Sequence, residues 1–240
     1  MVVSAGDAGF LLDDVAVVRG DVSVLRDVSC VLPDRGITVV AGPAGAGKTT
    51  LLRLLDRLDV PTSGTVSWRG RPLDGLDPCT LRRLVGMVAQ RPVPFAGSVA
   101  DNLRVAEPGL DDEAVATLLD LVGLPAAVAD HDATTLSGGE AQRMCVARTL
   151  ATGPEVILAD EPTSSLDLAP RRALEDLARR LADADDGAVG WIWVSHDLDQ
   201  LERLADVVAV VVDGEVLAVG PLQEVRHHDR EVVRNVVGAR

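Results

Sequence analysis

The sequence predicts an α/β fold whose core is interrupted by a helical segment and preceded by a small antiparallel β piece. Three observations predict it. Leu11 to Val18 and Val22 to Leu32 alternate apolar and polar residues around a Gly20-Asp21 turn, the period-two pattern of a half-buried antiparallel pair. Short apolar runs bounded by turn residues alternate with helical patterns, as strands of a sheet covered on both faces do. From Arg91 the character changes: Pro92, Pro94 and Gly97 break the chain, and helical patterns follow before strand–helix alternation resumes.

Each element has its own local warrant. Gly36 to Ala41 is an apolar run short enough for a buried strand, and Thr49 to Leu58 is leucine-rich with helical spacing. Pro61-Thr62-Ser63-Gly64 is turn chemistry leading into a strand at Thr65 to Trp68. Pro78 to Leu84 reads as a short helix, and Val85 to Ala89 as a buried strand ending at Gln90. Helices are expected over Ser98–Val105, Asp111–Val122 (stopped by Gly123 and Pro125) and Gly139–Thr152. A strand at Val156–Ala159, a helix over Ala169–Ala184, a strand at Gly190–Val194 and a helix from Asp197 restore the alternation. Val207–Asp213 and Glu215–Gly220, joined through Asp213-Gly214, make a closing hairpin. The expected organisation is one domain: a core from 1–90 and 151–225, a helical subdomain at 91–150, and a tail at 226–240.

Composition bounds the function. At 240 residues and 47% hydrophobic, the chain can build one large core. Aromatics are 2% and Tyr is absent, so Val, Leu and Ala must fill it. A net charge of −14 argues against nucleic acid as a partner, because such a surface needs clustered positive charge. Cys30, Cys79 and Cys145 are isolated and lack metal-ligand spacing, and read as reduced thiols of a cytosolic protein. No signal peptide is evident, and the longest aliphatic run, Val207–Val212, is too short to cross a bilayer. His227-His228 lacks a third ligand and reads as solvated, and His131 as a surface residue. Trp191 and Trp193 share one strand face and read as core.

The chemistry is concentrated in a few motifs. Of the 23 basic residues one is a lysine, and it sits in Gly42-Pro43-Ala44-Gly45-Ala46-Gly47-Lys48-Thr49, followed by Thr50. This is the P-loop pattern: backbone N–H groups cradle phosphates, the lysine reaches the β- and γ-phosphates, and the Thr49 hydroxyl holds Mg²⁺. A compact ammonium suits that glycine-lined loop better than a planar guanidinium, and a helix N-terminus follows to attract the anion. Val156 to Ala159 is an apolar strand ending in Asp160-Glu161. In a P-loop protein the first acid binds Mg²⁺, and the second can polarise an attacking water. Leu136-Ser137-Gly138-Gly139-Glu140 opens a helix with a second anion site made of backbone N–H groups and a hydroxyl. His196 follows the strand Trp191–Val194, where a ring nitrogen can stabilise transferring phosphoryl charge.

The order of the P-loop, Gln90, Leu136–Glu140, Asp160-Glu161, Ser165-Leu166-Asp167 and Ser195-His196-Asp197 resembles the nucleotide-binding domain of ATP-binding cassette transporters, from about residue 11 to 225. The resemblance implies a P-loop NTPase with a RecA-like core, ATP and Mg²⁺ as ligands, and ATPase activity. It implies that Gln90 senses Mg²⁺ and the membrane partner, that His196 contacts the γ-phosphate, and that Asp167 lies at a dimer interface. It further implies a second copy in a head-to-tail dimer, with ATP between one P-loop and the other copy's Ser137-Gly138-Gly139. The expected setting is cytoplasmic, on the inner face of the cell membrane, beside a separate transmembrane permease subunit.

One departure concerns the base. Cassette ATPases stack adenine on an aromatic residue before the P-loop strand, and the alignment of Leu25-Arg26-Asp27-Val28-Ser29 puts Arg19 there. A guanidinium can stack on a base or point to solvent, and both readings stay open. The stretch Gln90–Phe95, with Gly97-Ser98-Val99 and Asn102-Leu103, resembles phosphate-type importer cassettes and also short cassettes assigned to metal export; import is the preferred direction. The alternative is a cassette ATPase regulating or mechanically driving a membrane complex without solute transport. Leu136–Glu140 excludes a plain P-loop kinase or GTPase.

Overall fold

The computed structural model describes residues 9–185 and 187–238. β1 (Phe10–Arg19) and β2 (Val22–Leu32) form the expected antiparallel pair around Gly20-Asp21. Next come β3 (Ile37–Ala41), α1 (Lys48–Leu55), β4 (Ser63–Trp68), β5 (Arg71–Pro72), α2 (Pro78–Leu84) and β6 (Val85–Val88). The helical segment carries α3 (Val99–Ala106), α4 (Asp112–Leu121) and α5 (Gly138–Ala151). The core resumes with β7 (Val156–Asp160), α6 (Leu168–Ala182), β8 (Gly190–Val194), α7 (Leu198–Leu204), β9 (Val207–Val212) and β10 (Glu215–Gly220). Two short helices, α8 (Leu222–Val225) and α9 (Glu231–Val236), follow.

The strands sort into two sheets, a four-stranded antiparallel one in the order β2-β1-β4-β5 and a six-stranded one in the order β10-β9-β3-β8-β7-β6. In the larger sheet β3 pairs in parallel with β8 and β9, and β7 with β6 and β8; only the β9–β10 edge is antiparallel. Ligands of such sheets bind beyond the carboxyl ends of the parallel strands. Ala41, Asp160 and Val194 end three neighbouring strands there.

Alternation within each buried strand divides the core in two. Val39, Ile157, Ala159, Trp191, Trp193 and Val208 face one cluster with Leu103, Leu119, Met144 and Leu177 from the helices. Val40, Val156, Leu158, Ile192 and Val211 face the other, with Leu51, Leu52 and Leu55 of α1 and Leu12, Leu25 and Leu32 of the antiparallel sheet. The helical segment and the β piece therefore lie against opposite faces of one sheet. Trp191 and Trp193 are both buried, their rings 5.7 Å apart.

Two expectations change. The helix after the P-loop stops at Leu55 rather than Leu58, because Arg57 takes a left-handed φ of 58° and the Asp56 carboxylate accepts from the Leu58 N–H at 3.0 Å. Residues beyond 225, expected as a tail, instead fold back: Val233 and Val237 are buried in the first cluster. Residues 239 and 240 of that tail, like 1–8, lie outside the described residues.

Candidate active site

The P-loop turns from β3 into α1 through glycines of positive φ, and at two of them, Gly42 and Gly47, a Cβ would collide with a backbone carbonyl. Gly47 has φ 100°, and a Cβ there would lie 2.8 Å from Leu25 Cδ2 and 2.9 Å from the Val24 carbonyl oxygen. A cleft of about 410 Å³ opens over this turn, lined by Val24, Ala44, Gly45, Gly47, Lys48, Thr49, Thr50, Gln90 and Glu161. Gly42 and Pro43 line a neighbouring cleft with His196.

Lys48 is buried, and its Nζ donates to the carbonyls of Gly42 and Pro43, each at 2.8 Å. Burial pushes its pKa below the ordinary value, while Glu161 and Asp160 pull it back up. Two carbonyls and two nearby carboxylates leave the ammonium short of a direct ion pair, so an incoming phosphate would stabilise it. The Thr49 hydroxyl donates to Asp160 Oδ2 at 2.8 Å, joining the start of α1 to the end of β7. Burial raises the Asp160 pKa, opposed by the Thr49 hydrogen bond and reinforced by the Glu161 charge. These hard oxygen donors have the chemistry Mg²⁺ prefers, so the residues present fit that ion.

Glu161 leaves β7 with φ 45°, a left-handed conformation costing a non-glycine residue about 1–2 kcal/mol. The turn aims its carboxylate between two loops. Gln90 Nε2 donates to Oε2 at 3.2 Å, and His196 Nδ1 lies 3.3 Å from Oε1. The His196 side chain is 68% exposed, so its ring has room to turn toward a ligand. Gln90 is held by its neighbour, since the Gln142 amide on α5 donates to the Ala89 carbonyl at 3.1 Å.

The remaining predicted residues lie apart from this cleft. Ser137 caps α5 in a reciprocal box with Glu140, whose carboxylate accepts from the Ser137 hydroxyl at 2.6 Å and from its N–H at 3.0 Å. Those bonds lower the Glu140 pKa. Ser137 and Gly138 are exposed, and space beside Gly138 is open to 4 Å. Asp167 sits exposed at the start of α6 without a side-chain capping bond. Arg19 donates to Asp59, which also accepts from Arg53 Nε at 3.0 Å, and the cleft is lined by Val24 instead. No motif marks Val24 in the sequence; its one signal is its place in β2 just before Leu25, which packs on the glycine turn.

A family model described as ABC transporter matches residues 25–164, a span that holds the P-loop, Gln90, Ser137–Glu140 and Asp160-Glu161. This chain belongs to the ABC transporter family. Within it the chain is an ATPase subunit, and among the described residues no helix is long and apolar enough to cross a membrane. The chain is 40% identical to ABC transporter I family member 17 of Arabidopsis thaliana over 95% of its length and 88% of that protein. It is 38% identical to phosphate import ATP-binding protein PstB 2 of Mycobacterium tuberculosis, covering 90% of this chain and 83% of the relative. A solved structure of an ATP binding subunit of an ABC transporter superposes with a TM-score of 0.80 at 26% identity, covering 91% and 92% of the two chains. A bacterial Atm1-family ABC exporter with ATP bound shares the fold, with a TM-score of 0.82 at 24% identity, over 97% of this chain and 42% of the exporter.

Proposed function

We propose that this ABC ATPase hydrolyses ATP with Mg²⁺ between two head-to-tail copies of itself, at the inner face of the cell membrane, and so drives solute import through a separate transmembrane permease. The observation that carries the chemistry is the Thr49–Asp160 hydrogen bond beside Glu161, with Lys48 in the same cleft. Thr49 and Asp160 would hold the metal, Asp160 through water, with Gln90 completing its surroundings. When bound, the ion neutralises charge on the β- and γ-phosphates.

The chain's own residues do the rest. Lys48 exchanges its carbonyl partners for phosphate oxygens, which its flexible stem allows and which offsets the burial that disfavours its ammonium. Residues 42–47 and the N-terminal N–H groups of α1 receive the anion. Glu161 polarises the attacking water, and His196, within reach of the same carboxylate, stabilises charge developing on the transferred group. Ser137-Gly138-Gly139 of the second copy supply the N–H groups that one chain alone lacks at the γ-phosphate, and Asp167 stands at the interface. Exposure of that turn outside the P-loop cleft supports the two-copy reading. Import, and a phosphate-like solute, are supported by the likeness to the mycobacterial protein named for phosphate import.

Mixing two inactive chains tests the composite site. Lys48→Ala removes one half and Ser137→Arg the other, so a random mixture retains about one intact site in four. ATPase activity should return to about that fraction of the wild-type rate. Absence of recovery in mixtures that demonstrably co-assemble would exclude shared sites.

A further inference from the structure

Behind the cleft lies a buried polar cluster that none of the roles above uses. Gln200 on α7 is 3% exposed, Glu175 on α6 is 2% exposed and Thr163 is 4% exposed. The Gln200 amide uses both ends. Its Nε2 donates to Thr163 Oγ1 at 3.0 Å and to Glu175 Oε1 at 2.8 Å, and its Oε1 accepts from Trp193 Nε1 at 3.1 Å. Glu175 is fixed from the other side by Arg203, whose Nε and Nη2 donate to its two oxygens at 2.9 and 3.0 Å. The buried charge is thus paired in a fork, and the amide's orientation is determined by two partners of fixed polarity, the Trp193 indole N–H that only donates and the Glu175 carboxylate that accepts.

What the amide joins gives the cluster a role. Thr163 lies two residues beyond Glu161, in a loop tightened by the Ser164 N–H to the Glu161 carbonyl at 3.1 Å. Trp193 lies on the strand that leads into Ser195-His196, and Gln200 is four residues beyond His196. Glu175 belongs to the helix that Asp167 begins. A narrow space of about 100 Å³, lined by Glu161, Thr163, His196 and Gln200 among others, separates the two loops. We propose that Gln200 is a positioning residue for ATP hydrolysis. Its amide, with Thr163 and Glu175, sets the spacing of the Glu161 loop from the His196 loop and ties both to the helix behind Asp167. This inference rests on the assignment of Glu161 as base and His196 as charge stabiliser. The consequence is a defect in turnover rather than binding, because the phosphate-cradling residues 42–49 lie outside the cluster.

The test uses the full chain and steady-state ATP hydrolysis at several ATP concentrations. Thr163→Val keeps the side chain's shape and removes the acceptor; Gln200→Leu removes all three bonds. Misplacing a catalytic group by about 1 Å costs about 100-fold, so kcat should fall roughly 10- to 100-fold while KM for ATP stays within about threefold. Thr163→Ser, which restores the hydroxyl, should recover turnover, and the double variant should lose little beyond either single one. A loss of thermal stability with kcat unchanged at about 20 °C, or a strictly additive double variant, would overturn the proposal. Should Gln200→Leu fail to fold, the Thr163 pair decides alone. Glu161→Gln assayed in parallel separates the two levels. If it leaves turnover intact, the underlying assignment fails; if it abolishes turnover while Thr163→Val does not slow it, only this inference fails.

Discussion

Asp56 is a carboxylate that the fold holds at a cost, and replacing it with asparagine should stabilise the protein in a pH-dependent way. It is 1% exposed at the end of α1, and burial raises its pKa from 3.8 to about 6 despite the hydrogen bond from Leu58 and the attraction of Arg82 and Arg53. The sign follows from linkage. Between about pH 4 and 6 the native protein keeps a proton that the unfolded chain has released. Stability attributable to this group is therefore greatest below the unfolded pKa and is lost as pH rises through the native one. The full ionisation cost above pH 6 is on the order of 3 kcal/mol. In Asp56→Asn the carboxamide would retain an oxygen for the Leu58 N–H, while its new N–H groups, if unpaired, return about 1 kcal/mol of that gain. For a chain of this size the remaining ~2 kcal/mol corresponds to a rise in Tm of roughly 4–8 °C. Urea unfolding and thermal melts of Asp56→Asn and wild type at about pH 4.5 and about pH 8, on either side of the raised pKa, check it. The gap between them should open with rising pH and level off above about pH 7. An equal gap at both values, or a variant less stable at the higher pH, would show that Asp56 is not a buried charge held against its own preference.

Glu161→Gln should retain ATP binding and lose about 10²–10⁴-fold in turnover, whereas Lys48→Ala should fail at binding; fluorescent-nucleotide titration beside phosphate release distinguishes the two. With Arg19 engaged by Asp59 and no tyrosine in the chain, ATP and GTP should compete within about tenfold, or about 1.4 kcal/mol. Arg19→Tyr should then tighten ATP, and a strong ATP preference persisting in Arg19→Ala would mean the base is held elsewhere.

The strands and the motif residues are legible in the sequence because each is announced locally. Short apolar runs mark β3, β6, β7 and β8 within a residue or two, and the Ser137–Glu140 box marks the start of α5. What is not legible depends on contacts distant in sequence. Gln200 and Glu175 look like ordinary polar helix residues until the fold joins them across 25 positions. Val233 and Val237 belong to a short segment whose periodicity is too brief to separate a packed helix from a solvated end. Arg19 illustrates the opposite failing: its position in the chain points to a base, yet Asp59, 40 residues away, takes its guanidinium.

The strand order of the larger sheet also governs when the protein becomes competent during synthesis. β3 carries the P-loop and β7 carries Asp160, but neither touches the other; β8 lies between them, hydrogen-bonded to both. A ribosome will have delivered both phosphate-handling strands long before Gly190–Val194 leaves the exit tunnel. Until then β3 and β7 each expose an unsatisfied edge, and such edges invite pairing with the wrong partner. Assembly should therefore be a late event that waits on β8 and then on β9, which pairs with the other edge of β3, with nucleotide arriving only after them. Substitutions that weaken β8 should appear first as poor yield of soluble chain, and only then as poor catalysis.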